Sequence, residues 1–335
     1  MRFTAGVVVA LAALACAAGE PPGREAVADA LQREDVPALR HALAALAQAQ
    51  SVDAAAETFA EAVASVPRNR RFRARFEAAL AGGDAAATTA ARSRYLFVLV
   101  PGWFYRSDPH TGADLAQPRA VLEGLGFATR LAALDENGAV EANGAVLAEE
   151  LARLAESGRR VVLVSTSKGG PEAQLAVDRL ERAGRARHLA AWFNIGGILN
   201  GTAHADRWTE WPRRWLAAIG FGLKGFGTES VASMTTAARR ARFSELRVPR
   251  GMLVVNYIGV PLAVEVGARA RDRYAVLADG GPNDGLTLLA DAIVPQGITV
   301  AERGLDHFFD APDLDRRIAA MAHTLIGALE TSVVQ

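Results

Sequence analysis

The chain has 335 residues, half of them hydrophobic, enough for one large core with appendages or for two modest domains. Lys plus Arg and Asp plus Glu each number 37, so the formal net charge is zero and the basic excess that nucleic-acid binders rely on is missing. No paired-cysteine or His-x-x-x-His metal cluster and no dinucleotide fingerprint stands in the sequence, so no cofactor is expected.

Residues 1–18 read as a secretory signal peptide. Arg2 supplies the positive start, and Phe3 to Ala18 carry no charge. The run is too short for a membrane span, which needs about 20 apolar residues. Cys16 is the only cysteine and ends the run in Ala13-Leu14-Ala15-Cys16-Ala17. This resembles a bacterial lipoprotein signal, in which the cysteine is lipidated and becomes the mature N-terminus. Ala13 and Leu14 depart from the usual Leu and small residue, and simple cleavage nearby stays open. Both readings imply export, to the periplasm, the medium or a lipid-anchored state, with Cys16 as the only route to a membrane. A disulfide is excluded either way.

Residues 24–82 are alanine-rich and predict a small helical layer of about three helices. Leu39, Leu43 and Leu46 share one helical face, as do Phe59, Val63 and Val66, and then Phe72, Phe76 and Leu80. Pro37 and Pro67 punctuate these segments near their starts. Gly82-Gly83-Asp84 begins a linker.

From residue 92 to 335 the pattern changes to alternation of strand and helix. Buried strands are predicted at Tyr95–Val100, Phe127–Leu134, Val161–Val164, His188–Ile195, Met252–Ile258 and Ile298–Glu302. Helices are expected over Leu115–Leu125, Val140–Glu156, Pro171–Ala183, Pro261–Tyr274 and Leu314–Leu329. Such alternation argues for an α/β domain with a mostly parallel sheet flanked by helices. Residues 201–247 break it and read as an inserted cap.

The segment Val161-Val-Leu-Val-Ser165-Thr166-Ser167-Lys168-Gly169-Gly170-Pro171 runs a strand into Ser-x-Ser-x-Gly and then directly into a helix. A nucleophile on so tight a turn needs small neighbours two residues before and two after, and Ser165 and Gly169 meet that need. Ser165 is the rival serine, one turn too early. This arrangement resembles the nucleophile elbow of the α/β-hydrolases, in the serine esterase and lipase style, with Ser165 replacing the usual first Gly. The resemblance covers residues 94–335. It implies Ser167 as nucleophile and two backbone N–H donors for the oxyanion, one from Lys168 and one from Trp103 or Phe104 in the loop after the first strand. The Lys168 side chain is expected either near the site or in solvent.

Family order places the acid and then the base after the serine. His307 lies in Gly-Leu-Asp-His-Phe-Phe past the last strand, where the family keeps its base. Asp284 lies in Asn283-Asp284-Gly285, similar to the acid loop of lipases. His204 is the main rival base; Asp279, Asp291, Asp306 and Asp206 are the other acids. The imidazole is required because a serine hydroxyl is a weak nucleophile until its proton is taken, and the carboxylate fixes the imidazole tautomer.

The insertion carries Trp208, Trp211 and Trp215, and Trp211 and Trp215 are expected to share a helical face and line a substrate pocket. The implied activity is hydrolysis of carboxylic esters, small or lipid-like. Acyl transfer, thioester or amide cleavage with the same triad, and non-catalytic binding on the same fold, stay open at this stage.

Overall fold

The structure is a computed structural model that describes residues 23–82, 89–211, 213 and 227–333. Residues 1–18 with Cys16, and Trp215 in the insertion, lie outside the described residues.

Six strands form one sheet: β1 (Tyr95–Val100), β2 (Ala128–Leu131), β3 (Arg160–Thr166), β4 (Leu189–Ile195), β5 (Leu253–Val260) and β6 (Ile298–Arg303). Their order is β2-β1-β3-β4-β5-β6, and every pairing is parallel. Parallel strands buried on both faces read as unbroken apolar runs, and β1, Tyr-Leu-Phe-Val-Leu-Val, is buried at all six positions.

The helices are α1 (Arg24–Gln32), α2 (Val36–Ala49), α3 (Val52–Ser65), α4 (Pro67–Leu80), α5 (Thr89–Arg94), α6 (Ala116–Gly124), α7 (Val140–Leu154), α8 (Gly169–Arg182), α9 (Ala203–Thr209), α10 (Glu229–Ser233), α11 (Thr236–Phe243), α12 (Ala268–Leu277) and α13 (Leu314–Val333). Successive side chains of β1 point to opposite faces of the sheet. Leu96, Val98 and Val100 pack with Leu147 and Leu151 of α7 and Val177 and Leu180 of α8. Phe97 packs on the other face, with Leu122 of α6 and Met321 and Leu325 of α13. The expected three-layer α/β architecture is therefore present.

The N-terminal layer has four helices rather than three. Sequence periodicity misses α1 because it spans only nine residues and buries just Val27, Ala30 and Leu31. Asp35 and Ser51 cap α2 and α3, accepting from Ala38 N and Ala54 N. Val27, Leu39, Leu43 and Phe59 form one cluster with Ile258 and Val260 of β5 and with Leu289 and Ile293. The layer also bonds to the outer edge of β6. Asn69 Oδ1 accepts from Thr299 N at 2.9 Å, and Arg73 Nη1 donates to Ala301 O at 3.0 Å. Buried Asp291 binds Arg40 of α2 on one oxygen and Arg240 of α11 on the other.

After β5 the helix starts at Ala268, later than expected. The intervening residues form a short turn, Ala263–Glu265, and Gly267 N donates to Asp306 Oδ2 at 2.9 Å. In the insertion, Ala205, Val231 and Met234 gather with Val140 beside Trp103.

Candidate active site

The turn between β3 and α8 is built by what it leaves out. Ser167 has φ +51°, a left-handed conformation that an L side chain adopts only at a cost. Ser167 O accepts from Gly170 N at 3.0 Å and from Ile198 N at 3.1 Å, which holds it there. A Cβ at Gly169 would lie 2.5 Å from Val100 O and 2.6 Å from Pro101 O. A Cβ at Gly170 would lie 2.7 Å from Gly197 Cα. Only glycine at both positions lets α8 start against the ends of β1 and β4.

Ser165 has another task. Its Oγ is buried, accepts from Trp192 Nε1 at 2.8 Å and donates to Asn194 Oδ1 at 3.4 Å. It supports the turn from below and does not face the cavity.

His307 and Asp284 are both buried, with His307 Nδ1 at 2.8 Å from Asp284 Oδ2. Asp284 Oδ1 accepts from Leu286 N at 2.9 Å and Thr287 N at 2.8 Å, and Asp284 O accepts from His307 N at 2.8 Å. Gly285, at φ +101°, allows the tight turn that folds these donors onto the carboxylate. Gly259 admits the base loop, since a Cβ there would lie 2.4 Å from Leu305 O. The other ring nitrogen, His307 Nε2, is buried and makes no hydrogen bond among the described residues.

The rival residues are engaged elsewhere. Asp306 accepts from Gly267 N and Phe308 N, Asp206 accepts from Thr236, Asp291 is held by two arginines, and Asp279 is exposed. His204 Nε2 sits 3.0 Å from Arg273 O. Burial pushes the His204 imidazole below its ordinary pKa. Among the described residues no carboxylate orients it as Asp284 orients His307.

Ser167 and His307 both line a cavity of about 800 Å³, as do Trp103, Phe104, Lys168 and His204. Leu115, Ile195, Ile198, Val231, Met234 and Ile318 give it an apolar wall. The volume lies in the upper part of the range for small-molecule sites, about 300–1,000 Å³. The loop after β1 presses on the nucleophile, because a Cβ at Gly102 would be 3.2 Å from Ser167 Cβ. Trp103 stacks on Phe104, with ring centroids 4.4 Å apart.

Of the two places expected for the Lys168 side chain, solvent is excluded, and the residue stands in the wall of the cavity that Ser167 lines. It is buried and ion-paired with Glu172, one helical turn on in α8. Trp211 is 72% exposed and is not in the cavity wall, whereas Trp208 is. The reason is local: α9 ends at Thr209, and Glu210 is extended, with ψ 147°, so Trp211 leaves the helical face that Trp208 occupies. Among the described residues no three His, Cys, Asp or Glu side chains converge in the manner of a metal site.

Neither a protein-family model nor a curated protein matches the chain. Solved structures do. A metagenomic carboxyl esterase is 22% identical, with a TM-score of 0.59, over 74% of this chain and 78% of its own. The mature form of a Bacillus licheniformis lipase is also 22% identical, with a TM-score of 0.53, over 68% of this chain and 90% of its own. Likeness at this identity speaks to fold. The parallel six-stranded sheet, flanked by helices and carrying a layer and an insertion, is the α/β-hydrolase fold.

Proposed function

We propose that the chain is a serine hydrolase that cleaves carboxylic esters through an acyl-enzyme. The observation that carries this reading is the buried His307–Asp284 pair, whose Nε2 makes no hydrogen bond among the described residues and whose imidazole residue lines the same cavity as a serine on a left-handed turn.

In this mechanism His307 Nε2 takes the proton of Ser167 as Oγ attacks the ester carbonyl. Asp284 holds the Nδ1 proton and stabilises the imidazolium that forms. The tetrahedral oxyanion is met by backbone N–H donors, from Lys168 just ahead of α8 and from Trp103 or Phe104 on the β1 loop. One such donor is worth about 10²–10³ in rate. The alkoxide leaves with the proton from His307, and water repeats the sequence on the acyl-enzyme. The apolar wall suits a hydrophobic acyl group.

Labelling with a fluorophosphonate probe tests the reading. The wild-type chain should label and Ser167→Ala should not. A panel of acyl esters, thioesters and amides then fixes the leaving group and chain length. Unlabelled wild-type protein that turns over none of the panel would point to a binding role instead.

We further propose that residues 1–18 direct export. If Cys16→Ser leaves mass and membrane association unchanged, the lipidated form is excluded and simple cleavage stands.

A further inference from the structure

We propose that a hydrogen-bonded chain through Glu172, Asn143 and Asn137 fixes the spacing of the two arms of the oxyanion hole, so that these three are positioning residues. The inference rests on the hydrolase reading above.

The two arms come from different parts of the fold, one from the loop after β1 and one from the elbow after β3. An oxyanion needs donors about 2.7–3.1 Å away. The ladder of β1 with β3 brings the arms near one another but ends at Val100 opposite Ser165, three residues before Trp103 and three before Lys168, so their last approach is left to the loops. The polar chain joins them. Lys168 Nζ is paired with Glu172 inside the protein, both side chains being 2% exposed. Asn143 Nδ2, on α7, donates to Glu172 Oε1 at 2.8 Å and to Asp135 O at 2.7 Å, and Asn143 Oδ1 accepts from Asp135 N at 3.3 Å. Asp135 Oδ1 accepts from Asn137 N at 3.0 Å. Asn137 Oδ1 then accepts from Trp103 Nε1 at 3.1 Å. The same loop grips the β1 arm a second time, since Glu136 Oε2 accepts from Arg106 N at 2.7 Å and Ser107 N at 3.0 Å.

Lys168 and Trp103 stand in the cavity wall; Glu172, Asn143, Asp135 and Asn137 do not. Burial pushes the Glu172 carboxyl up, and the Lys168 ammonium and the Asn143 amide pull it back. A buried ion pair is weak evidence for stability, because apolar residues of similar volume often serve as well. Its place immediately after the nucleophile gives it a reason in geometry.

The test uses the full chain with Asn143→Ala, Asn137→Ala and Asn137→Asp, each checked for folding by circular dichroism. Three quantities are read: kcat and KM on a short-chain nitrophenyl ester, and the affinity of a trifluoromethyl ketone, whose adduct carries the oxyanion. Asn143→Ala and Asn137→Ala should each lower kcat by about tenfold to a hundredfold, as small misplacement does. KM should stay within about twofold and ketone affinity should fall with kcat, since only transition-state binding is touched. Asn137→Asp keeps an oxygen for Trp103 and should retain most activity. Unchanged kcat and ketone affinity in folded Asn137→Ala overturns the inference, as does a loss confined to KM. Should Asn143→Ala fail to fold, Asn137→Ala, in a half-exposed loop, still decides. A wild-type chain with no Ser167-dependent turnover would instead sink the hydrolase reading, and this inference with it.

Discussion

Asp284→Asn changes one atom of a fully buried group, and the hydrogen bonds around it dictate the outcome. Oδ1 receives two backbone N–H groups, at 2.9 and 2.8 Å. The amide NH2 cannot occupy that place without leaving two donors facing a donor, each worth about 1–3 kcal/mol when unsatisfied. The oxygen therefore stays at Oδ1 and the NH2 takes the Oδ2 position, 2.8 Å from His307 Nδ1. Nδ1 must then accept, which moves the ring proton to Nε2. An Nε2 that carries a proton cannot take one from Ser167. The expected loss is about 10⁴ in kcat, the scale known for this tautomer error, or about 5.4 kcal/mol at 1.36 per tenfold. Because the side chain keeps its shape, the circular dichroism spectrum should be that of the wild type. Steady-state kinetics on a short-chain ester gives the number. A folded Asp284→Asn protein within tenfold of wild-type kcat would refute the assignment of both acid and base.

Three further expectations follow from other sites. Ser167→Gly should abolish turnover yet stabilise the fold by about 1 kcal/mol, because glycine adopts the left-handed turn without penalty; a melting temperature at or below that of wild type would count against strain at the elbow. Trp208→Ala, which removes an aromatic from the cavity wall, should slow long-chain esters more than acetyl esters, whereas Trp211→Ala should affect neither; equal losses for both chain lengths in Trp208→Ala would remove the pocket role. Burial pushes the His188 imidazole below its ordinary value. The unfolded chain therefore binds this proton first as pH falls, so stability is full above about pH 6.5 and declines below it. Calorimetry of His188→Gln should show a flatter decline than wild type, and an unchanged slope would exclude His188 as a source.

The middle of the sheet is legible in the sequence because β1, β3, β4 and β5 are buried on both faces. Tyr95–Val100 and Val161–Val164 are apolar at every position, and no helix-period pattern competes with them. The elbow is legible because Gly169 and Gly170 stand where backbone would otherwise collide. Less is legible where contacts are tertiary. The sequence has no signal for the burial of Lys168, because its partner Glu172 reads as an ordinary charge on a helix. Asn143 and Asn137 look like surface amides until the loop at 135–137 folds between them. Trp211 is spaced for one helical face with Trp215, yet its side chain stands in solvent, and Trp215 lies outside the described residues. The short α1 has too few apolar residues to show a period.

The bonds from Asn69 and Arg73 to the outer side of β6 have a consequence for association. An open sheet ends in strands whose unpaired N–H and C=O groups invite another chain to pair with them. On the β6 side the protein sets helices α3 and α4 against the strand and answers Thr299 N and Ala301 O with side chains. A chain begun at β1 would keep the candidate catalytic residues and lose that cover. It would also bare Ile258, Val260 and Ile293, which the layer buries. Shortened forms of this protein are therefore expected to self-associate through β6 before any defect in the cavity is felt, and screening for soluble domains should keep residues 24–82.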